Sequence, residues 1–331
     1  MKFLKRILSL FFIVAALWFL VDVGTSVLHL WTNITSTTET LFSRWSTNKA
    51  AKQSLENLDI QIGLPKTEIE SQLGDAKNHT QNEYLTDWYT YHQDYRNFFM
   101  ISYDNQQQVN GWFTNHEPFV QKLYKNKQEV HDQLGTPESA ILKGKTNFIL
   151  TQNGEFDVYR TDDSFLTIFY DTQEHDSVTA IQVIERSLEL ANNRLYTYES
   201  PELTQGFKQQ LFDLTNADRV KHGFSILKQS DQVAETARKH STDMAQNHYF
   251  DHENLQGQSP FDRMTADGLS FTQAGENLAY GQPSAIFAHE GLMNSPGHRK
   301  NILHKEFTYL GIGVAFNSDS QPYFTENYYS K

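Results

Sequence analysis

A nine-residue segment occurs twice in the first half of the chain, and this repetition limits the fold more than any other feature. KTEIESQLG at 66–74 returns as KQEVHDQLG at 127–135, with Lys, Glu, Gln, Leu and Gly at matching positions and a β-branched residue in the fourth. Each copy predicts a short helix that ends at Gly74 or Gly135, with the glycine in the left-handed C′ conformation. Such a repeat indicates two copies of one small supersecondary unit.

Strand-like segments follow both predicted helices. FFMISYDNQQQV at 98–109 and FLTIFYDTQEHDSV at 165–178 share a Phe and a Tyr-Asp pair before a polar turn. We therefore predict that residues 58–189 form a duplicated small α+β module, in which one helix and a small antiparallel sheet are used twice. Its histidines are scattered among polar residues and are predicted to be solvated, so we interpret the module as a binding or spacing domain.

Positive charges precede an apolar run at the N-terminus. Lys2, Lys5 and Arg6 stand before the apolar stretch 7–21. This layout is typical of a signal sequence, and the positive-inside rule keeps the three charges in the cytoplasm and places the rest of the chain outside. Because no small-residue cleavage site is evident near residue 21, we predict a hydrophobic helix in 1–31 that anchors the chain by a single membrane pass. The alternative is a secreted protein whose signal has been cleaved.

Charge and cysteine content exclude several classes of function. The formal net charge of the 331 residues is −12, which argues against a nucleic-acid partner on electrostatic grounds. The chain has no cysteine, so disulfides, thiolate zinc sites and cysteine nucleophiles are all excluded. The membrane, contacted through the N-terminal helix, is the partner that the sequence itself indicates.

The remaining boundaries follow from changes in composition. Residues 32–57 are rich in Thr, Ser, Asn and Lys and predict a polar spacer, while 190–206 predict a linker whose end is marked by Pro201 and Gly206. Residues 207–331 contain several amphipathic helical patterns and then a hairpin pattern in which Ile312 and Val314 alternate with small residues. We predict an α+β domain with helices flanking a small antiparallel sheet.

Three ionisable residues in this domain lie on or beside predicted loops, where sites usually occur. His252 ends the YFDH segment, Glu276 is the centre of GEN, and His298 follows a predicted helix start at Ser295 and Pro296. Two neutral imidazoles and a carboxylate would suit Zn²⁺ or another divalent cation with an open position for water. Their sequence separations form no recognised ligand spacing, so ordinary structural roles stay open on residue types alone.

The same segments carry a family resemblance. HSTDMAQNHYFDH at 240–252, GENLAYG at 275–281 and MNSPGHRKNIL at 293–303, followed by GIGVAF, resemble the CAP superfamily of cysteine-rich secretory, antigen 5 and pathogenesis-related 1 proteins in its bacterial form. The resemblance implies an α-β-α sandwich over 207–331, with a cleft where two histidines and two acids converge and can hold a divalent cation. His252, Glu276 and His298 match three of those four positions.

One cleft position and the preceding module complete the resemblance. Ser295 stands where many eukaryotic relatives have the second cleft acid. The duplicated module is similar to the CAP-associated domain that precedes CAP domains in some Gram-positive bacterial proteins, and this similarity implies no chemistry.

Four neighbouring residues receive secondary roles. His240 matches a family position and is predicted to pack or to form a hydrogen bond, and Glu253 is retained as a spare ligand. His289 and Glu290 are expected to face water.

Two functions remain compatible with the sequence. The preferred hypothesis is a non-enzymatic surface module whose cleft binds a divalent cation and a cell-wall, lipid or protein ligand. The alternative is a zinc-dependent hydrolase acting on peptide or cell-wall substrates, with His252 and His298 holding the metal and Glu276 as third ligand or as general base. The resemblance favours the binding role, because CAP domains are better attested as binding and signalling modules than as enzymes.

Overall fold

The repeated segment forms two matching short helices, as predicted. A computed structural model describes residues 58–150 and 153–331, in which α1 spans Lys66–Leu73 and α3 spans Lys127–Leu134. Gly74 and Gly135 follow them with φ of +77° and +79°, but their ψ angles of −167° and −143° lie outside the left-handed helical region. This conformation is accessible essentially only to glycine, which explains why glycine occurs at both helix ends.

The predicted membrane anchor at 1–31 and the spacer at 32–57 lie outside the described residues. Among the helices that the structure does describe, none is long and apolar enough to cross a membrane.

The strands of both repeats join one antiparallel sheet within residues 58–150 and 153–331, instead of forming two separate sheets. The strands are β1 Asn78–Gln81, β2 Asp87–Gln93, β3 Arg96–Tyr103, β4 Val109–Thr114, β7 Phe156–Arg160, β8 Ser164–Asp171 and β9 Ser177–Glu185. Their order in the sheet is β1-β2-β3-β4-β9-β8-β7, and β4 pairs with β9 through partners such as Trp112 and Val183. The prediction of a small sheet in each copy was therefore wrong, because pairing of β4 with β9 satisfies strand edges that would otherwise stay open.

Shorter elements complete this module. Strands β5 (Ala140–Lys143) and β6 (Thr146–Ile149) pair as a separate hairpin. Helix α2 spans Glu117–Leu123, and α4 spans Arg186–Ala191.

Helix α5 begins within the predicted linker. It spans Pro201–Lys221, and the Ser200 side chain accepts a hydrogen bond from the amide of Leu203 as its N-cap. The predicted linker over 190–206 therefore ends too late, because its residues from 201 onward form the first turns of α5. Gly206 lies inside the helix, where a Cβ would overlap the carbonyl oxygen of Gln81. The glycine permits a close approach between α5 and β1 and does not end the linker.

The C-terminal part is an α-β-α sandwich, as the resemblance implies. Its elements are β10 Lys228–Gln229, α6 Asp231–Asn247, α7 Pro260–Ala266, β11 Gln273–Tyr280, α8 Ala285–Asn294, α9 Pro296–Ile302, β12 Tyr309–Phe316 and β13 Pro322–Ser330. The sheet has the order β10-β12-β13-β11. Leu310, Ile312 and Val314 pack on one face with α5, α8 and α9, while Ala315 packs with α6 on the other.

A continuous core joins the two parts of the described chain. Trp88, Phe113 and Phe169 of the seven-stranded sheet pack against Leu214 of α5 and Ile286 of α8. Residues Leu58–Lys331 thus form one compact unit. Helix α8 lies between the two parts, so it is buried on more than one side.

Candidate functional site

The structure brings two of the three predicted site residues into direct contact. His252 lies in the loop after α6, and Glu276 lies in β11. Nδ1 of His252 is 2.9 Å from Oε1 of Glu276. Because an ionised carboxylate only accepts hydrogen bonds, Nδ1 carries the proton and Nε2 is left to face other groups. The Glu276 side chain is 1% exposed and the His252 side chain is 51% exposed, so the pair joins the interior to the surface.

Arg263 is a central residue of this site that sequence reasoning missed. Its guanidinium donates to Oε2 of Glu276 over 2.7 Å, and Nη1 donates to the carbonyl oxygens of His252 (2.7 Å) and Gln258 (2.9 Å). Arg263 therefore holds both the carboxylate and the loop that carries His252. A signal was present, since Pro260, Arg263 and Met264 have helical spacing and share the buried face of α7.

Helix α7 is fixed locally, which gives Arg263 a rigid base. The Ser259 side chain accepts from the amide of Asp262, and the Asp262 side chain accepts from the amide of Ser259. This reciprocal pairing is a capping box.

His298 lies in the first turn of α9, with Ser295 as N-cap residue and Pro296 at the first helical position, as predicted. The Ser295 side chain makes no capping hydrogen bond. Burial, and then the nearby charge of His252, lower the pKa of His298. The hydrogen bond to Glu276 raises the pKa of His252 despite partial burial. Burial and the charge of His252 both favour the neutral form of His298, and the second effect shows that His298 lies within the electrostatic reach of His252.

Two asparagines dock α9 on β11. Nδ2 of Asn301 donates to the carbonyl of Glu276 over 3.2 Å and to Oδ1 of Asn277 over 2.9 Å. Nδ2 of Asn277 donates to the carbonyl of His298 over 3.2 Å and to Oε2 of the buried Glu326 over 3.1 Å. This network positions the segment that carries His298 beside the strand that carries Glu276.

A three-ligand zinc centre that includes Glu276 does not fit this arrangement, because Arg263 and His252 occupy both oxygens of its carboxylate. Within residues 58–150 and 153–331, no group of three or more His, Asp or Glu side chains is placed to hold a metal ion. The donors that remain are Nε2 of His252 and the ring of His298. The carboxylate lies behind His252, in the position of a group that orients a histidine.

The secondary predictions have different outcomes. His240 is buried, and its Nε2 lies 2.9 Å from the carbonyl oxygen of Asp251, which supports the predicted hydrogen-bonding role. Glu253 is exposed, and its role as a spare ligand stays a prediction.

The expectation that His289 and Glu290 face water was wrong. Both residues are buried, and Nε2 of His289 lies 2.7 Å from Oδ2 of Asp218 in α5. Burial raises the pKa of Glu290 to about 7, and Thr179 donates to its Oε2 over 3.2 Å. The cause is the position of α8, which packs against the four-stranded sheet domain on one side and the seven-stranded sheet on another. A side chain of α8 that points away from the first therefore contacts the second instead of water.

Comparison with known families agrees with the two resemblances. Residues 62–195 match the CAP-associated N-terminal family, and residues 212–328 match the cysteine-rich secretory protein family, CAP. The uncharacterized membrane protein YlbC of Bacillus subtilis is 28% identical over 289 residues, which are 81% of this chain and 82% of that protein. The uncharacterized protein YkwD of the same organism is 40% identical over 117 residues, which are 35% of this chain and 46% of that protein.

Two crystal structures have the same overall architecture. An extracellular protein containing an SCP domain, from Bacillus anthracis, has a TM-score of 0.70 and 26% identity, covering 82% of this chain and 94% of its own. A cysteine-rich secretory protein from Staphylococcus aureus has a TM-score of 0.64 at 16% identity, with the same shares covered, and shows likeness of fold alone.

Proposed function

Because the chain belongs to the CAP family through residues 212–328, behind a CAP-associated N-terminal domain, we propose that it is an extracytoplasmic binding protein held at the cell membrane. Its location is supported by the basic residues before the apolar N-terminal run and by the relatives described above, one a membrane protein and one extracellular. Binding at the cleft of His252 and His298, and not hydrolysis, is the proposed activity.

The proposal rests on the observation that His252 and Arg263 occupy the two carboxylate oxygens of Glu276. A general base must have an oxygen within hydrogen-bond reach of the water that it activates. Both oxygens of Glu276 are already bonded, and the side chain is buried under Arg263. Glu276 therefore acts as a positioning residue that holds the His252 ring, and the half-exposed imidazole is the group that a ligand meets.

The cleft is proposed to take a divalent cation on its two imidazoles. His252 and His298 would hold the ion, and Glu276 would orient His252 from behind. A bound cation would supply a contact for carboxylate or phosphate oxygens, which occur in cell-envelope polymers and lipid headgroups. Two protein ligands make a weak site, so the ion and the envelope ligand are expected to bind together.

Zinc titration by calorimetry on the full chain tests the cation. His252→Ala and His298→Ala should each weaken zinc binding at least tenfold, while the exposed His248→Asn, with a residue that tolerates the φ of +55° at this position, should leave it unchanged. Absence of zinc binding between pH 6 and 8 would remove the cation from the proposal. Equal affinity in all variants would place the metal elsewhere.

Sedimentation of the full chain with isolated cell walls, and with anionic lipid vesicles, tests the binding role. We expect binding to one of the two that decreases in His252→Ala and His298→Ala but not in His248→Asn. A panel of peptides and cell-wall fragments, with and without chelator, tests the alternative. Chelator-sensitive cleavage that is lost in Glu276→Gln would overturn the binding role in favour of a hydrolase.

A further inference from the structure

A cavity lies at the junction of the two domains and is lined by residues other than His252, Glu276 and His298. Its volume is about 430 Å³, within the range of small-molecule sites. Strands β8 and β9, the hairpin β5–β6, residues 192–196 and the turn 281–283 all contribute to its wall. The strands and the hairpin belong to the N-terminal module and the turn 281–283 belongs to the C-terminal sandwich, so both domains contribute to the wall.

The walls of this interdomain cavity are largely apolar. Phe156, Phe169 and Phe287 lie against one another in tilted and edge-to-face contacts, with ring centroids 5.1–6.2 Å apart. Ile149 and Leu195 also line the cavity, and they are 71% and 51% exposed. Large apolar side chains at a rim favour entry of a molecule that has an apolar body.

One buried carboxylate of the cavity is fully compensated. Nζ of Lys143 lies 2.5 Å from Oε1 of Glu189, and the Tyr84 hydroxyl donates to Oε2 over 2.5 Å. Both side chains of the ion pair are 10% exposed. Lys143 and Glu189 therefore leave no net charge for a ligand to meet.

Glu83 differs, because no cation neutralises it in the described part of the chain. It is 7% exposed and lines the cavity, and its Oε2 makes no hydrogen bond within residues 58–150 and 153–331. Oε1 of Gln282, on the opposite domain, is a second cavity-lining acceptor without a partner there. Burial and the charge of Glu189 raise the pKa of Glu83 to about 7, although Ser284 and Gln182 lie near enough to lower it. Nε2 of Gln182 is an unpaired donor at this cavity among the described residues, and it carries no charge, so it cannot neutralise Glu83. Two unpaired acceptors and one uncompensated carboxylate therefore favour a ligand with several donors and a positive charge.

We propose that the interdomain cavity binds a small amphipathic amine, with its ammonium group against Glu83 and Gln282 and its apolar body among the phenylalanine rings. An ammonium group has three donors and no acceptor, which matches two acceptors and a missing positive charge. Aromatic faces add cation–π attraction, and Lys143 already lies 5.4 Å from the ring centroid of Phe148 at the same cavity. The occupant would contact both domains and so stabilise their packing.

Calorimetric titration of the full chain at pH 8 with 3-phenylpropylamine tests the proposal. Its isosteres 3-phenylpropan-1-ol and 3-phenylpropanoic acid keep the body and change only the head group. The amine should bind, the alcohol should bind at least tenfold more weakly, and the acid should not bind. Glu83→Gln should weaken amine binding at least tenfold, whereas Glu68→Gln, the same change at an exposed site of the same domain, should leave it unchanged.

A rim substitution keeps the test informative if Glu83→Gln does not fold. Ile149→Lys changes an exposed side chain and should weaken amine binding through charge repulsion at the entrance. Absence of amine binding to the unaltered chain would overturn the proposal. Equal binding of amine and alcohol, or unchanged affinity in both Glu83→Gln and Ile149→Lys, would overturn it as well.

Discussion

Nδ1 of His252 donates a hydrogen bond to Oε1 of Glu276 over 2.9 Å, across 24 residues of sequence. The carboxylate is held from its other side by Arg263, so the exposed histidine is connected to a buried ion pair. The orientation of the cleft imidazole therefore depends on Arg263, whose side chain is buried.

Arg263→Ala is expected to lower the free energy of unfolding by about 3–5 kcal/mol, because it leaves Glu276 as a buried charge without its cation. The Arg263 and Glu276 side chains are 8% and 1% exposed, so solvent screens the pair little. Urea denaturation at pH 7 measures the effect. Arg238→Ala breaks an ion pair whose side chains are about half exposed and should cost less than about 1 kcal/mol. Similar losses in both variants would contradict the role assigned to Arg263.

Gly313→Ala is expected to be severely destabilising, by more than about 4 kcal/mol. A Cβ at Gly313 would overlap the backbone of Ala237 and Arg238 in α6, so strand and helix would have to separate. Gly291→Ala is the matched control in α8, where a Cβ meets no atom within 4 Å. That variant should gain up to about 1 kcal/mol through helix propensity. A Gly313→Ala protein with an unchanged thermal midpoint would show that β12 does not approach α6 this closely.

His289→Ala is expected to cost about 3 kcal/mol, since it removes a hydrogen-bonded partner from the buried Asp218. Burial alone would raise the pKa of Asp218, but the hydrogen bond from His289 and the charges of Lys221 and His289 lower it. Asp218 is thus ionised and needs its partners. Denaturation of His289→Ala should be compared with His222→Ala, which removes an exposed histidine at the C-cap of α5, the helix that carries Asp218. A larger loss in His222→Ala would contradict the importance of the Asp218–His289 pair.

Glu83 should make stability fall as the pH rises from about 4.5 to about 7. Its pKa is raised from 4.5 to about 7 in the folded protein, so the folded state favours the neutral carboxyl. This contribution is complete below pH 4.5 and is lost as the pH rises through the folded pKa. Glu83→Gln removes the loss and should stabilise the protein by roughly 3 kcal/mol more at pH 8 than at pH 4.5.

Denaturation at the two pH values measures the difference, and Glu68→Gln should show none. If Glu83→Gln has the same effect at both, then the pKa of Glu83 is not raised in the folded protein, and the carboxyl is not an uncompensated buried charge.

Features set by neighbouring residues could be predicted from the sequence. The Ser259–Asp262 capping pair closes within three residues, and the glycine-ended helices of the repeat depend on their own backbone. The alternation of Ile312 and Val314 directed these side chains to one core. Each of these features has a short-range cause, so no knowledge of packing was needed.

The sequence by itself determined the elements, the order of the two domains and the three segments that carry His252, Glu276 and His298. Only the tertiary structure decided what those side chains contact. Packing joined the repeats in one sheet and buried His289 and Glu290 between the domains. It also placed His252 and Arg263 in hydrogen-bond contact with the two carboxylate oxygens of Glu276. The physical reason is that a charged side chain buried by distant segments of the chain needs a hydrogen-bonding or charged partner. The residues near it in sequence do not indicate which partner the packing of the domains will bring to it.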